Sequence, residues 1–177
     1  VIKNGKLVGI VSQTDLLNAS PSPVTTLSVW EMNYLLSKVT VSRVMSKKIR
    51  TVNAGTPIEE AARIMADAKI GGLPVMSDGK LVGIITETDL FKIFLEMMGA
   101  RQKATRVTAT ISDQPGTLGK LTKAVAGAGG NIISLGMFAG PDADTKLVTF
   151  KVVGLRKDSI RRELGKFVKK FWDIRIS

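Results

Sequence analysis

A 17-residue segment occurs twice in this chain, and the repetition restricts the fold more than any other feature. Residues 1–17, VIKNGKLVGIVSQTDLL, align without gaps on residues 75–91, VMSDGKLVGIITETDLF, at an offset of 74. Ten of the 17 positions are identical: Val1, Gly5, Lys6, Leu7, Val8, Gly9, Ile10, Thr14, Asp15 and Leu16, each with its counterpart 74 residues on. Self-similarity at a fixed spacing marks one supersecondary unit used more than once. Both copies have the same syntax. An apolar stretch meets an Asn-Gly or Asp-Gly pair suited to a two-residue hairpin turn. A second apolar strand follows, and then Ser/Thr-x-x-Asp opens a helix.

The second copy carries its full context. Thr51 and Val52 lie in an extended stretch. Thr56-Pro57-Ile58-Glu59 reads as a helix start, with Thr56 as N-cap, Pro57 at the first helical position and Glu59 closing a capping box. Ile58, Ala61, Ala62, Ile64, Met65 and Ala68 recur at helical spacing, and Gly71-Gly72 is the expected stop. Leu73 to Met76 reads as a strand, Asp78-Gly79 as the turn, Leu81 to Ile85 as a strand, and Thr86 opens a helix to about Met98. The expected order is β-α-β-β-α.

These segments carry a family resemblance. Residues 41–99 resemble a CBS domain along their whole length, through Leu73-Pro74-Val75, Asp78-Gly79-Lys80-Leu81-Val82-Gly83 and Thr86-x-x-Asp89, whereas residues 1–17 resemble only the last third of one. By the 74-residue offset, the counterpart of Val41 would stand roughly 33 residues ahead of Val1, so the first repeat is expected to be truncated here. The resemblance implies a pair of repeats with clefts between them for an adenosine-type ligand: AMP, ADP, ATP or S-adenosylmethionine. It implies that Thr86 and Asp89, with Ser12 and Asp15 in the first copy, meet phosphate and ribose hydroxyls. Thr51, Ile70, Gly72 and Pro74 would line the same cleft. The chemistry is sound, because a carboxylate accepts hydrogen bonds from a diol and a hydroxyl at a helix N-terminus suits an anion. The same Ser/Thr-x-x-Asp pattern also caps a helix with no ligand present, and Thr51, Ile70, Gly72 and Pro74 also serve packing and turns. Both readings stand at this point.

Residues 18–40 read as a linker: Asn18 to Pro23 as a turn-rich loop, then a short helix over Leu27 to Leu36 burying Leu27, Trp30, Met32, Leu35 and Leu36. This segment resembles the linker of acetoin-utilisation (AcuB-like) proteins, which implies a link to acetoin metabolism.

After a basic joint at 100–105, residues 106–177 alternate differently. Arg106 to Ser112 reads as a strand, Asp113 to Gly116 as a turn, and Leu118, Leu121, Ala124, Val125 and Ala128 as one helix face. Asn131–Phe138 and Lys146–Val153 read as strands around a Gly140–Asp144 turn. Ile160, Leu164, Phe167, Val168 and Phe171 predict one amphipathic helix before a short strand at 173–177. The order βαββαβ is the ferredoxin-like pattern, a fold that hosts many functions. Asp113-x-Pro115-Gly116-x-Leu118 followed by Gly130-Asn131-Ile132 resembles an ACT domain over residues 104–177. That implies an amino acid or similar metabolite bound near Asp113, Gly116, Asn131 and Ile132 at a dimer interface, or simple subunit pairing. Asp-x-Pro-Gly is equally a good turn into a helix. The fold class is thus α+β: a CBS pair with a truncated first repeat, then a ferredoxin-like ACT domain.

Composition narrows the function. The chain has neither Cys nor His, which removes thiol nucleophiles, Cys/His zinc sites and Ser-His-Asp triads. The expectation is a regulatory protein with no catalytic residues, metal or resident cofactor. Of the net charge of +11, residues 1–99 hold 11 basic and 9 acidic groups, and residues 100–177 hold 15 and 6. The basic C-terminal part favours anionic partners. Arg161, Arg162, Lys166, Lys169 and Lys170 could grip phosphate or merely form a solvated face. A nucleic-acid binder that uses this basic part is the rival reading. A ligand-free dimerising scaffold is the other rival. No apolar run approaches the ~20 residues of a membrane helix, so the expectation is a cytoplasmic protein, and the resemblance to two domain families that self-associate implies a homodimer.

Overall fold

The computed structural model describes residues 1–20 and 26–177 and divides into two compact units, residues 1–90 and 91–177. Pro21, Ser22 and Pro23 of the expected linker loop lie outside the described residues.

In the first unit the duplicated sequence folds into a duplicated hairpin and helix. β1 (Ile2–Lys3) and β2 (Lys6–Leu7) pair antiparallel with Ile2 opposite Leu7. β4 (Gly72–Ser77) and β5 (Lys80–Thr86) pair likewise in the second copy. Asn4 and Gly5 turn at φ +50° and +74°, and Asp78 and Gly79 at +48° and +74°. Two consecutive positive φ values give the turn whose twist matches the strands, which is why Asn-Gly and Asp-Gly recur there. α1 (Gln13–Asn18) follows the first hairpin and α5 (Glu87–Met97) the second. Between them lie α2 (Val29–Ser37), α3 (Val41–Val44), β3 (Val52–Asn53) and α4 (Ile58–Ala68). β3 joins β4 in parallel, so the sheet order is β3-β4-β5. Its core is small: Val52, Ala61, Met65 and Leu73, ringed by Ile64, Ile70, Val75, Ile85 and Leu90. Ile10 and Ser46 exchange two backbone hydrogen bonds, of 3.0 and 2.8 Å, and so tie the first copy to the second.

The second unit is a four-stranded sheet of β6 (Thr105–Ser112), β7 (Asn131–Ala139), β8 (Thr145–Val153) and β9 (Lys170–Ile176), in the order β7-β8-β6-β9 with every neighbouring pair antiparallel. α6 (Thr117–Gly127) and α7 (Lys157–Leu164), the latter continued by a 3₁₀ turn over Gly165–Phe167, cover one face. This is the expected βαββαβ arrangement. Its core is the larger one, with Val107, Ile111, Leu121, Val125, Phe150, Ile160 and Leu164 all buried, each side chain contributing roughly 1.5–3 kcal/mol.

Four sequence expectations need correction. Thr56 does not cap α4. Its hydroxyl accepts from the amide of Asn53 at 3.1 Å and closes a 53–56 turn, leaving Pro57 as the cap residue with no side-chain bond. The stop of α4 is Lys69, in the left-handed conformation at φ +53°, and Gly72 already belongs to β4. The helix expected through Phe171 ends at Leu164. Gly165, a poor helix former, sits where the chain tightens, and Phe171 reaches the same core from β9, opposite Ala109. In α2, Trp30 is 85% exposed and Leu35 and Leu36 are also exposed, while Leu27 precedes the helix.

Candidate functional site

The Thr86–Asp89 segment bridges the end of β5 and the start of α5. The Thr86 amide donates to Asp89 Oδ2 at 3.0 Å, the Thr86 hydroxyl donates to the same oxygen at 2.6 Å, and the Asp89 amide returns a 3.4 Å bond to Thr86 Oγ1. The first copy repeats this geometry. The Ser12 amide and hydroxyl each donate to Asp15 Oδ2 at 2.7 Å, and the Asp15 amide donates to Ser12 Oγ at 3.2 Å. Both are complete capping boxes, each contributing about 1 kcal/mol to its helix. The first is exposed and the second half-buried. The Ser12 hydroxyl, and after it the Ser12 amide, hold the Asp15 carboxyl below the ordinary aspartate value of 3.8.

The register of the strands collects the other second-copy residues around Thr86. Gly72 is its cross-strand partner, and the Glu87 amide donates to the Gly71 carbonyl at 3.1 Å. Val52 pairs with Val75 in parallel, which puts Thr51 level with Pro74 at the same end of the sheet. Ile70 enters from the loop ahead of β4, its amide bonded to the Met65 carbonyl. Thr51, Ile70, Gly72, Pro74, Thr86 and Asp89 therefore share one end of the three-stranded sheet. Thr51 is exposed, Ile70, Gly72, Thr86 and Asp89 are half-buried, and Pro74 is buried. Gly72 is constrained, since an added Cβ would lie 3.3 Å from the Ile85 carbonyl oxygen and 3.5 Å from Thr86 Cγ2.

The four residues expected to form a C-terminal ligand site do not gather within one chain. Ser112 pairs with Thr145 at one end of the sheet, and Asn131 pairs with Val153 at the other. Asp113 and Gly116 thus stand at the opposite end from Asn131 and Ile132. Asp113 is fixed by Lys146 Nζ at 3.2 Å and by its own amide donating to the Asp144 carbonyl at 2.7 Å. Gly116 turns into α6 at φ +82°.

Comparison with known proteins shows the family. A family profile described as the CBS domain matches residues 1–22 and 41–96. A CBS domain-containing protein of Dictyostelium discoideum is 31% identical over 99 residues, covering 55% of this chain and 68% of that protein. The chain belongs to the CBS-domain family. An inosine-5'-monophosphate dehydrogenase of Thermoplasma acidophilum is 47% identical over 47 residues, which make up 27% of this CBS protein and 10% of the dehydrogenase. The chain spans 68% of the first of these relatives and 10% of the second. A crystal structure assigned to an acetoin utilization protein (AcuB) of Vibrio cholerae is 35% identical, with a TM-score of 0.44, covering 57% of this chain and 67% of that one.

Sequence reasoning missed a third box of the same kind in this CBS protein. The Ser28 amide and hydroxyl donate to Glu31 Oε2 at 2.8 and 2.7 Å and start α2. The signal, Ser-x-x-Glu ahead of an apolar run, was present in the sequence.

Proposed function

We propose that the chain is a regulatory ligand-sensing protein whose CBS part binds an adenosine nucleotide at the sheet end that carries Thr86 and Asp89. The observation that carries this reading is the duplicated box. Two copies of a hydroxyl and a carboxylate, each at a helix N-terminus after an apolar strand, follow the symmetry of a two-repeat ligand module. Beside the second lie the half-buried Gly72 and the exposed Thr51, a backbone-rich rim against which a base can lie. The dehydrogenase relative supports a regulatory role: the shared segment is a tenth of that enzyme (10%) and is portable between proteins. The absence of Cys and His from the sequence points the same way.

The C-terminal unit we read as an ACT domain that binds an amino acid or similar metabolite or pairs subunits. Asp113 and Gly116 at one end of the sheet, with Asn131 and Ile132 at the other, fit a site completed between two copies. A twofold axis perpendicular to the sheet sets the second copy end over end and brings its Asn131 end beside the first copy's Asp113 end. β7 is an edge strand and is available for that pairing. Exposed apolar side chains on β5 (Val82, Ile84) and on α5 (Phe91, Phe94, Met97) support a homodimer. The AcuB-like linker suggests acetoin-related metabolism as the setting.

The test is calorimetric titration of the chain with AMP, ADP, ATP and S-adenosylmethionine, repeated with Asp89→Ala. Heat with one of them that is lost in the variant supports the reading, and at ~100 times its dissociation constant that ligand should add about 2.7 kcal/mol of stability. No heat with any of the four would leave Thr86 and Asp89 as helix caps and the protein as a dimerising scaffold.

A further inference from the structure

The helix-bearing face of the C-terminal unit carries positive charge that the chain itself does not neutralise. Several other cations of this unit are matched: Lys146 with Asp113 at 3.2 Å, Lys169 with Asp144 at 2.7 Å, and Arg106 and Arg175 with Asp173 at 3.4 and 2.6 Å. Lys120, Lys123 and Lys166 differ. Among the described residues none of them forms an ion pair, yet all three line one cleft of about 300 Å³ between α6 and the 3₁₀ turn after α7.

The sequence sets this convergence. Lys120, Lys123, Ala124 and Gly127 fall at i, i+3, i+4 and i+7 on one face of α6, while Leu121 and Val125 turn into the core. Lys166 arrives from the 3₁₀ turn, which packs beside α6. The one carboxylate lining the cleft, Glu163, is engaged by Arg162 Nε at 2.9 Å. The floor is small and partly aromatic. Ala124, Ala128 and half-buried Phe167 form it, and an added Cβ on Gly127 would meet nothing within 4 Å. The Lys166 ammonium stands 5.2 Å from the centre of the Phe167 ring.

Three ammonium groups around one concavity repel unless negative charge enters it. A volume of about 300 Å³ is at the small end of ligand pockets, which favours a compact molecule over an extended polymer. We propose that this cleft is a binding site for a small multiply charged anion, a phosphate ester or polycarboxylate with a small apolar or flat body lying on Ala124, Ala128 and Phe167. It shares no lining residue with Thr86 and Asp89 or with Asp113, Gly116, Asn131 and Ile132, and it does not depend on the reading given to either.

The experiment titrates the full chain with inorganic pyrophosphate and, separately, citrate, with ionic strength held constant by sodium chloride. Calorimetry and the ε-CH₂ resonances of the lysines are the readouts. Saturable one-to-one binding that shifts Lys120, Lys123 and Lys166 is expected. At least a tenfold loss is expected in the Lys123→Glu/Lys166→Glu double variant, and a comparable loss in Gly127→Leu, which fills the floor without changing charge. Circular dichroism of each variant checks that it remains folded. Shifts that sodium chloride alone reproduces, or binding unchanged in both variants, would overturn the site. So would binding to phosphatidylglycerol vesicles or a single-stranded oligonucleotide with no response to pyrophosphate or citrate, because that would identify a polyanion-binding face.

Discussion

The ammonium of Lys151 donates to the carbonyl oxygen of Gly99 at 2.9 Å, from two residues before the end of β8, where Lys151 is only 4% exposed. It also reaches the carbonyls of Gln102 at 2.8 Å and Ser177 at 3.3 Å. Gly99 closes α5: its amide donates to the Glu96 carbonyl at 2.9 Å, the Ala100 amide donates to that of Leu95 at 2.9 Å, and φ of Gly99 is +58°. This is a left-handed helix stop. Lys151 therefore lays a positive charge on the negative end of a helix. Ser134 Oγ completes the grip by donating to the Met98 carbonyl at 3.1 Å. A buried lysine held entirely by backbone carbonyls fastens the joint and the chain's last residue to the sheet.

Lys151→Met keeps the length of the side chain and removes every donor. Three carbonyls lose their bonds, and stability should fall by roughly 2–3 kcal/mol, the scale of unsatisfied buried acceptors. Urea unfolding followed by hydrogen exchange at residues 99–102 checks it. Exchange there should accelerate more than at Val107 or Phe150. Equal acceleration throughout would show that Lys151 is only packing.

The capping boxes predict an acid response. Asp15 is lowered first by the Ser12 hydroxyl and then by its amide, and Glu31 by the same groups of Ser28. Asp144 is lowered by its hydrogen bond and then its charge contact with Lys169, and Asp173 chiefly by its bond from Arg175. A carboxyl lowered in the folded state stabilises above its unfolded value, and that contribution disappears as pH falls through the lowered folded value. Stability should therefore be flat above the ordinary values of 3.8 and 4.5 and decline below them. Carboxyl NMR titration of Ser12→Ala should return Asp15 toward 3.8. An unmoved Asp15 would contradict the bonding described.

Much of the fold could be read from residues alone, and the exceptions share a cause. The hairpins at Asn4-Gly5 and Asp78-Gly79 and the capping pairs Ser12/Asp15 and Thr86/Asp89 depend on neighbours within four residues, so sequence exposes them. The role of Lys151 does not: its partners come from Gly99, Gln102 and Ser177, and a lysine in an alternating strand reads as surface. Phe171 kept a helical spacing while belonging to a strand, since the core accepts an apolar side chain from either. Thr56 had two available partners, and the turn at Asn53 won. At the candidate site, the type of residue was visible, but the register that sets Gly72 against Thr86 is a non-local property.

Gly154 predicts a backbone failure. Its φ is +85°, and an added Cβ would lie 2.8 Å from the Gly129 carbonyl oxygen. The left-handed conformation alone costs a side-chain-bearing residue about 1–2 kcal/mol, and the clash is with backbone, which cannot swing aside. Gly154→Ala should destabilise by 2 kcal/mol or more on this scale. Gly127→Ala, with open space and an ordinary φ, should be neutral or slightly stabilising. Denaturant midpoints of the pair settle it, and similar midpoints would rule out the strain described.

Gly72→Val tests whether the sheet end works as a unit. The Cβ would press on the Ile85 carbonyl oxygen at 3.3 Å and on Thr86 Cγ2 at 3.5 Å, tilting the hydroxyl that holds Asp89. Nucleotide affinity should drop at least tenfold while thermal stability changes by about 1 kcal/mol, the usual scale for a surface-proximal substitution. Proportionate losses in both would mean that Gly72 serves packing alone.

Self-association should respond to the apolar side chains left in solvent. Ile84 on β5 is 59% exposed and Phe91 on α5 is 69% exposed, so neither supports its own unit's core, and a charge at either leaves the fold intact. Burying such a side chain against a second copy contributes roughly 1.5–3 kcal/mol, and each appears twice in a symmetric dimer. Ile84→Asp and Phe91→Glu should therefore each weaken the dimer at least tenfold by sedimentation velocity, with circular dichroism unchanged. A dimer indifferent to both would shift the pairing surface to the β7 edge of the C-terminal sheet, where a proline at Met137 should then disrupt it.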